Sequence, residues 1–211
     1  HRDLHSFPTR RSSDLARNRE LADYLVDQNY DICAHGFRWI DYQYVDEKTE
    51  REHIKDCISV LTECLGKRPV GWYTGRNSPN TRRLVMEEGG FLYDSDTYDD
   101  DLPYWADELE SNNKHLIIPY TLDVNDMRFA SPQGFNSGDQ FFNYLKDSFD
   151  ALYLEGKTHP KMMSLGIHAR ILVLPCTIIA MSKFLVYVTT FDFVCFCTRS
   201  VLADHWSEIF S

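Results

Sequence analysis

Apolar residues recur along the chain in blocks that alternate between helical spacing and short continuous runs. Asp46 to Leu65 predicts the clearest helix, because its apolar residues form one stripe and Gly66 follows. Asp139 to Glu155 predicts a second amphipathic helix. The short apolar runs predict strands over Tyr30–Ala34, Pro69–Tyr73, Phe91–Tyr93, His115–Tyr120 and Lys161–Ile167. This alternation predicts an α/β protein with a parallel sheet, either open or closed into a barrel.

The helix after the second strand has its own start signal. Ser78 is predicted as the N-cap and Pro79 as the first helical residue, because serine accepts from free backbone N–H groups and proline lacks one. The helix is predicted to run to about Glu88.

Residues 171–188 are nearly apolar, which raises the alternative of a membrane span. Pro175 and Lys183 interrupt this stretch, and a span needs about 20 mostly apolar residues. We therefore favour a helix over Ile178–Val188, a strand over Phe193–Cys197 and a last helix over Val201–Phe210.

Acidic residues outnumber basic ones in this chain. Its 211 residues include 22 Lys and Arg against 32 Asp and Glu, a formal net charge of −10 at pH 7. That balance disfavours nucleic acid as a partner, because phosphate contacts need a basic face. Aromatic residues make up 14% of the chain, which suits a core and is also typical of a ligand-lined cleft.

The cysteines show neither a CxxC pair nor a spacing typical of zinc sites or a disulfide framework. They are Cys33, Cys57, Cys64, Cys176, Cys195 and Cys197. We interpret them as reduced, buried thiols of a cytoplasmic protein.

Polar residues follow four of the predicted strands at their C-terminal ends. His35, Arg76 and His168 each come shortly after a strand, and Asp94 with Asp96 follows another. Ligand sites of α/β proteins lie at this edge of the sheet, so these residues predict a binding site. Solvated loops, or a core histidine beside a tryptophan, are the alternatives.

Four motifs occur here in the order and spacing of a known family. They are His35-Gly36-x-Arg38-Trp39, Gly75-Arg76-x-Ser78-Pro79-Asn80-Thr81-Arg82-Arg83, Tyr93-Asp94-Ser95-Asp96 and Leu165-x-x-His168-x-Arg170. From about Ala16 to Ile171 the chain resembles the NodB-homology polysaccharide deacetylases, and more narrowly their cytosolic allantoinase branch of the PuuE type. The resemblance implies a distorted (β/α) barrel, present here in part.

The resemblance also bears on a metal. Deacetylases of the family bind a divalent metal through an aspartate and two histidines spaced H-x-x-x-H. His35 matches the first histidine, but Trp39 stands in place of the second, and an indole cannot ligate a metal. The allantoinase branch is understood to work without that metal, so the resemblance implies no metal and no cofactor.

The resemblance further implies roles for single residues. His168 is the expected catalytic acid, and His35 is expected to orient water or to donate to the oxyanion. Arg76 and Arg170 suit the carbonyl oxygens of a ureide, although each could instead form a surface ion pair. The other expected substrate-binding residues are Asp94, Asp96, Trp39 and Arg38. Three histidines that match no family site are interpreted as surface or structural residues: His53, His115 and His159.

Both ends of the chain depart from the family pattern. The family's first two strands and their acidic motif should precede residue 16, and residues 1–15 match neither. We therefore interpret 1–15 as a foreign leader and 16–211 as a partial NodB-homology domain. Residues 172–211 differ from the family pattern, either because the protein has diverged or because the gene model contains an error. These departures predict impaired activity.

The predicted function is hydrolysis of a carbon–nitrogen bond other than a peptide bond, by which allantoin is opened to allantoate in purine breakdown. A metal-dependent polysaccharide N-deacetylase and a catalytically inactive fragment are the alternatives. The expected partner is a small-molecule ureide, with neither nucleic acid nor membrane as a partner, and a homo-oligomer is left open.

Overall fold

The computed structural model describes residues 15–106 and 114–210, which fall into two compact units. Unit 1 holds the described residues of His1–Thr97, Pro103–Pro119 and Cys197–Ser211, and unit 2 holds Tyr98–Leu102 and Tyr120–Phe196. The leader interpreted over residues 1–15 lies outside the described residues except for Leu15, which is buried in the core of unit 1.

Helices alternate with very short strands, in the order expected for an α/β protein. The described strands are β1 (Cys33–Ala34), β2 (Gly71–Trp72), β3 (Tyr93–Asp94), β4 (Tyr104–Ala106) and β5 (His115–Ile117). The described α-helices are α1 (Arg19–Asp27), α2 (Glu47–Leu65), α3 (Thr81–Glu88), α4 (Gly138–Glu155), α5 (Ala169–Leu172), α6 (Pro175–Val188) and α7 (Arg199–Phe210). Within the described ranges, two 3-10 helices cover Tyr42–Tyr44 and Asp126–Ala130.

All five strands form one sheet in unit 1, in the order β1-β2-β3-β5-β4. The strands β1, β2, β3 and β5 run parallel, and β4 pairs antiparallel with β5. The predicted α/β class with a mainly parallel sheet is therefore confirmed. The strands β1, β2, β3 and β5 are each shorter than the predicted apolar run, because residues such as Ile118 are fully buried without belonging to a strand, and β4 lies where no strand was predicted.

The core of unit 1 lies where α2 packs beside the sheet. The predicted stripe of α2 is buried together with Ala34 of β1 and Trp72 of β2. Asp46 caps this helix by accepting from the Thr49 N–H at 3.0 Å, and Gly66 ends it as predicted.

The predicted start of α3 is wrong. The helix begins at Thr81, with Asn80 rather than Ser78 at the N-cap position. The hydroxyl of Ser78 instead donates to the buried Glu50 carboxylate at 2.6 Å. The Ser78 oxygen accepts from the Asn80 N–H at 2.9 Å, so this serine closes the turn before the helix instead of capping the helix itself.

Unit 2 is built mainly from α4 and α6, which bury a shared apolar core. Pro175 is the first residue of α6, three residues before the predicted start, since a missing N–H costs nothing there. The strand predicted over Lys161–Ile167 is wrong, because the backbone makes a single parallel bridge there, between Gly166 and Asn125. The strand predicted over Phe193–Cys197 is also wrong, since Phe193 has a φ of 61°, which interrupts an extended chain.

Two other predictions concern apolar segments and thiols. None of the helices in the described ranges has the length and hydrophobicity that crossing a membrane requires. All six cysteines are free. Cys57 is buried, but Cys176 and Cys195 are exposed, so the interpretation as buried thiols is wrong for those two.

Candidate functional site

Predicted site residues gather at one edge of the sheet in unit 1. His35 directly follows β1, Arg76 lies in the turn after β2, and Asp96 follows β3 by two residues. Because these three strands are parallel, their C-terminal ends meet at the same edge.

His35 is held against the neighbouring strand by its ring. Its Nδ1 lies 2.6 Å from the carbonyl oxygen of Tyr73, and the two rings stack with centroids 5.2 Å apart and planes 8° apart. A carbonyl oxygen can only accept, so Nδ1 carries the proton in this contact. In the neutral ring Nε2 is then the basic atom, which suits a residue that orients water.

Arg76 and Trp39 form a cation–π pair on the exposed side of this edge. The guanidinium carbon lies 4.1 Å from the centroid of the Trp39 ring. The backbone N–H of Arg76 donates to Thr74 Oγ1 at 3.0 Å, within a turn that has Gly75 at a φ of 67°. A guanidinium above an indole keeps its N–H groups available for a planar oxygen acceptor. The pair is therefore chemically suited to a carboxylate or a ureide carbonyl.

Asp94 is bound within the protein interior. It is 1% exposed and accepts from Arg82 Nε at 3.0 Å and from His115 Nε2 at 2.9 Å. Asp94 was expected to bind substrate, whereas in the structure its carboxylate pairs with Arg82. His115, which was interpreted as an ordinary residue, is the other buried partner.

Asp96 joins the ends of β2 and β3. It is 8% exposed, and its carboxylate accepts from the Thr74 N–H at 2.9 and 3.0 Å and from the Gly75 N–H at 2.7 Å. Burial raises the pKa of Asp96 to about 7, although the two backbone donors act in the opposite direction. The charge of Asp94 raises this pKa further, and Arg82 lowers it.

Arg199, from the first turn of α7, reaches the same edge from the far end of the sequence. Its Nη1 donates to the carbonyl oxygens of Ile118 and Pro119 at 2.9 and 3.1 Å and lies 3.2 Å from Ser95 Oγ. The arginine is 6% exposed. Sequence reasoning missed it, because the segment that carries it resembles the family only faintly.

Arg38 lies on the exposed side of the turn after β1. Its guanidinium carbon is 5.9 Å from the centroid of the Phe37 ring. Its expected contact with substrate stays a prediction.

His168, in unit 2, is oriented by a buried carboxylate. Its Nδ1 lies 2.6 Å from Asp126 Oδ1, and its backbone N–H donates to Asp126 Oδ2 at 2.8 Å. Asp126 is 0% exposed, whereas the His168 side chain is 22% exposed. Donation from Nδ1 to the carboxylate leaves Nε2 as the atom for proton exchange with a ligand.

Sequence reasoning missed Asp126, which lies between the strand predicted over His115–Tyr120 and the helix predicted over Asp139–Glu155. A bridge between Asn125 and Gly166 brings it next to His168. The Asp126 N–H donates to the Gly166 carbonyl at 3.0 Å, and the Gly166 N–H donates to the Val124 carbonyl at 2.9 Å. A Cβ atom on Gly166 would lie 2.3 Å from Asn125 Nδ2, so the two segments can approach this closely only because glycine has no side chain. The only sequence signal for Asp126 was an acidic residue directly after Val124 and Asn125, and this signal is weak.

Arg170 follows His168 by two residues and is exposed at the start of α5. Both residues belong to unit 2, and their predicted convergence with His35 and Arg76 stays a prediction.

The donor set around His35 does not fit a three-ligand zinc site. Trp39 has no ligand atom for a metal, and Nδ1 of His35 is engaged by the Tyr73 carbonyl. Within residues 15–106 and 114–210, no three His, Cys, Asp or Glu side chains come together as metal ligands.

A search of curated proteins and a search of solved structures indicate the same family. No model of a protein family matches the chain. The chain is 38% identical to a protein of Schizosaccharomyces pombe named "Putative polysaccharide deacetylase", in an alignment that covers 92% of this chain and 65% of that protein.

Two crystal structures are similar over nearly the whole of this chain. The structure of a "probable Polysaccharide deacetylase" from Pseudomonas aeruginosa PAO1 is 56% identical with a TM-score of 0.91, covering 94% of this chain and 66% of that one. The structure of PuuE allantoinase is 53% identical with a TM-score of 0.91, covering 95% of this chain and 66% of that one. The chain thus spans just under two thirds of the length of these relatives. By these similarities and the motifs around His35, Arg76, Asp94 and His168, the chain belongs to the NodB-homology polysaccharide deacetylase family.

Proposed function

We propose that this chain belongs to a hydrolase that cleaves a carbon–nitrogen bond other than a peptide bond, with His168 as the catalytic acid. The observation that carries the proposal is the pairing of His168 Nδ1 with the fully buried Asp126 at 2.6 Å. A carboxylate in this position stabilises the imidazolium and fixes the ring, so that Nε2 can give a proton to a leaving nitrogen.

The proposed reaction opens a cyclic amide with water. The oxygen of water bonds to the carbonyl carbon, a base takes the proton of that water, and the carbonyl oxygen becomes an oxyanion. The carbon–nitrogen bond then breaks as His168 protonates the nitrogen. His35 orients the water through Nε2, and Arg76 stabilises negative charge on oxygen.

We propose allantoin as the substrate and allantoate as the product. This choice is supported by 53% identity with the PuuE allantoinase structure and by Trp39 in place of a second metal-binding histidine. The guanidinium of Arg76 above Trp39 also matches the planar carbonyl groups of a ureide. Under this proposal the chain acts in purine breakdown, in the cytoplasm.

The test is allantoate release by the purified 211-residue chain. We expect slow release, which His168→Ala lowers by about 100- to 10,000-fold, because that is the usual contribution of a general acid. The exposed His159 of the same unit provides the matched control, and His159→Ala should leave the rate unchanged. Equal rates in the two variants would remove His168 from the mechanism.

A metal-dependent polysaccharide N-deacetylase is the second candidate. It is favoured by the names of the Schizosaccharomyces pombe and Pseudomonas aeruginosa relatives. Zinc-stimulated acetate release from an N-acetylated oligosaccharide, without allantoate release from allantoin, would support this candidate and overturn the first.

A further inference from the structure

The turn that carries Arg76 is fixed at both ends by buried carboxylates. We propose that Asp96 and Glu50 are positioning residues, which hold this turn so that Arg76 stays above Trp39 and faces the substrate. The inference rests on the proposed function in one respect, namely that Arg76 binds the ureide. We call residues 74–81, which lead from β2 to the first residue of α3, the arginine turn.

Asp96 holds the first end of the arginine turn. Its carboxylate accepts from two consecutive backbone N–H groups, those of Thr74 and Gly75, at 2.7 to 3.0 Å. These groups come directly before Arg76, and neither belongs to the substrate-binding set. A carboxylate that accepts from buried backbone donors is strongly bonded, and its loss leaves those donors unsatisfied.

Glu50 holds the second end from the middle of α2. It is 1% exposed and accepts from the hydroxyl groups of Ser78, at 2.6 Å, and Thr81. The Ser78 hydroxyl in turn accepts from the Asn80 N–H at 2.9 Å, and Thr81 Oγ1 accepts from the Ser78 N–H at 2.8 Å. A glutamate inside the apolar stripe of a helix is costly unless it is fully bonded, so this contact defines where the turn ends.

Between the two carboxylates, Arg76 is oriented locally. Its N–H donates to Thr74 Oγ1 at 3.0 Å, and its carbonyl accepts from the Tyr42 N–H at 3.0 Å. The guanidinium then lies 4.1 Å from the Trp39 ring centroid. A shift of Thr74 or Gly75 would therefore move the cation relative to Trp39 without any change to Arg76 itself.

The charges around Asp96 make this end of the turn sensitive to pH. Asp94 and Arg82 act directly on Asp96, whose pKa of about 7 results mainly from burial. Beyond these two, His115 bonds to Asp94, Arg199 bonds to the intervening Ser95, and the charge of Asp96 acts on the thiol of Cys33. Above pH 7 both carboxylate oxygens of Asp96 can accept, whereas protonation converts one of them into a donor. The hold on the turn therefore loosens as pH falls through about 7.

The experiment uses the 211-residue chain and two measurements. Calorimetry gives the Kd for allantoin, and the difference in fluorescence between the protein and its Trp39→Phe variant isolates the signal of Trp39 beside Arg76. We expect Asp96→Asn to raise the Kd about tenfold, equivalent to one lost hydrogen bond, and to shift the Trp39 signal towards that of Arg76→Ala. Glu50→Gln should act in the same direction with a smaller effect, because the Ser78 and Thr81 hydroxyls can rotate to accept from the new amide, whereas the backbone N–H groups at Asp96 can only donate.

The control is Asp56→Asn, which neutralises an exposed carboxylate on α2 and should change neither reading. If folded Asp96→Asn keeps both the Trp39 signal and the Kd of the parent protein, the proposal is overturned. If the signal shifts although the parent protein binds no allantoin, the positioning role stands and the proposed substrate fails.

If Asp96→Asn does not fold, the unmodified protein provides the test. Its Trp39 signal should show a transition near pH 7 that is absent in Arg76→Ala. A flat signal between pH 5.5 and pH 8.5 would overturn the positioning role of Asp96.

Discussion

The two units use buried carboxylates in contrasting ways. In unit 1, Asp94 bonds to Arg82 and His115, and Asp96 bonds to backbone N–H groups of the arginine turn. In unit 2, Asp126 is directed at one residue, His168, whose side chain is 22% exposed. The first arrangement stabilises a scaffold, and under the proposed function the second orients a proton-transfer group.

The difference shows that burial of an acid does not by itself indicate chemistry. The identity and exposure of the partner distinguish the two cases, because a group that exchanges protons with a ligand must reach it. Three substitutions test this distinction, and we order them by the size of the expected effect.

Asp126→Asn should have the largest effect, on turnover. An asparagine amide can present a donor to Nδ1 and so favour the wrong tautomer of His168, and we expect kcat for allantoin to fall by about 100- to 10,000-fold. Allantoate release by the 211-residue chain measures this. Asp147→Asn, at an 80% exposed side chain in the same unit, is the control and should keep its kcat. Equal kcat values would make the Asp126 pairing structural, like that of Asp94.

Asp94→Ala should act on stability. It leaves Arg82 partly buried and His115 buried without their carboxylate, and breaking a buried ion pair from one side costs about 3–5 kcal/mol. Urea denaturation should show this loss in the free energy of unfolding. Asp27→Ala, at an exposed residue of α1, should change it by less than about 0.5 kcal/mol. A loss of similar size in both variants would contradict the scaffold role.

Asp96→Asn should change the pH dependence of stability. The folded-state pKa of Asp96 is raised from 3.8 to about 7, so its contribution to stability is fully present below pH 3.8 and is lost as pH rises through 7. If the whole shift is expressed, the free energy of unfolding should fall by about 4 kcal/mol over this window relative to Asp96→Asn. Denaturant unfolding at several pH values measures the difference. Parallel curves for the two proteins would show that Asp96 does not titrate in this range.

The sequence predicted the parts of the fold that depend on local pattern. The helix α2 follows from its apolar stripe and Gly66, and the parallel sheet follows from the alternation of elements. The prediction of a strand over Lys161–Ile167 was wrong because an apolar run indicates burial, whereas a strand also needs a neighbouring segment with unpaired backbone groups. Among the described residues of unit 2, such pairing is confined to Gly166 and Asn125.

The candidate site was predicted where its residues fall within short motifs. His35, Trp39, Arg76, Asp94 and Asp96 lie together at one edge of unit 1 as their positions after parallel strands suggested. Three longer-range contacts were not predicted, because His115 bonds to Asp94, Asp126 to His168 and Arg199 to Ser95 across 21 to 104 residues of sequence. No local periodicity encodes such contacts.

The absent side chain at Gly166 limits how this chain can be altered. A Cβ atom there would lie 2.3 Å from Asn125 Nδ2 and 2.4 Å from the Tyr120 hydroxyl, so an alanine would force these two side chains to move beside the segment that carries Asp126. Directed evolution of a new substrate preference can vary exposed residues such as His159 freely, but we expect position 166 to retain glycine in a library selected for turnover. The spacing between Asp126 and His168 is thus set by the backbone, and it would be among the last properties of this protein that selection could tune.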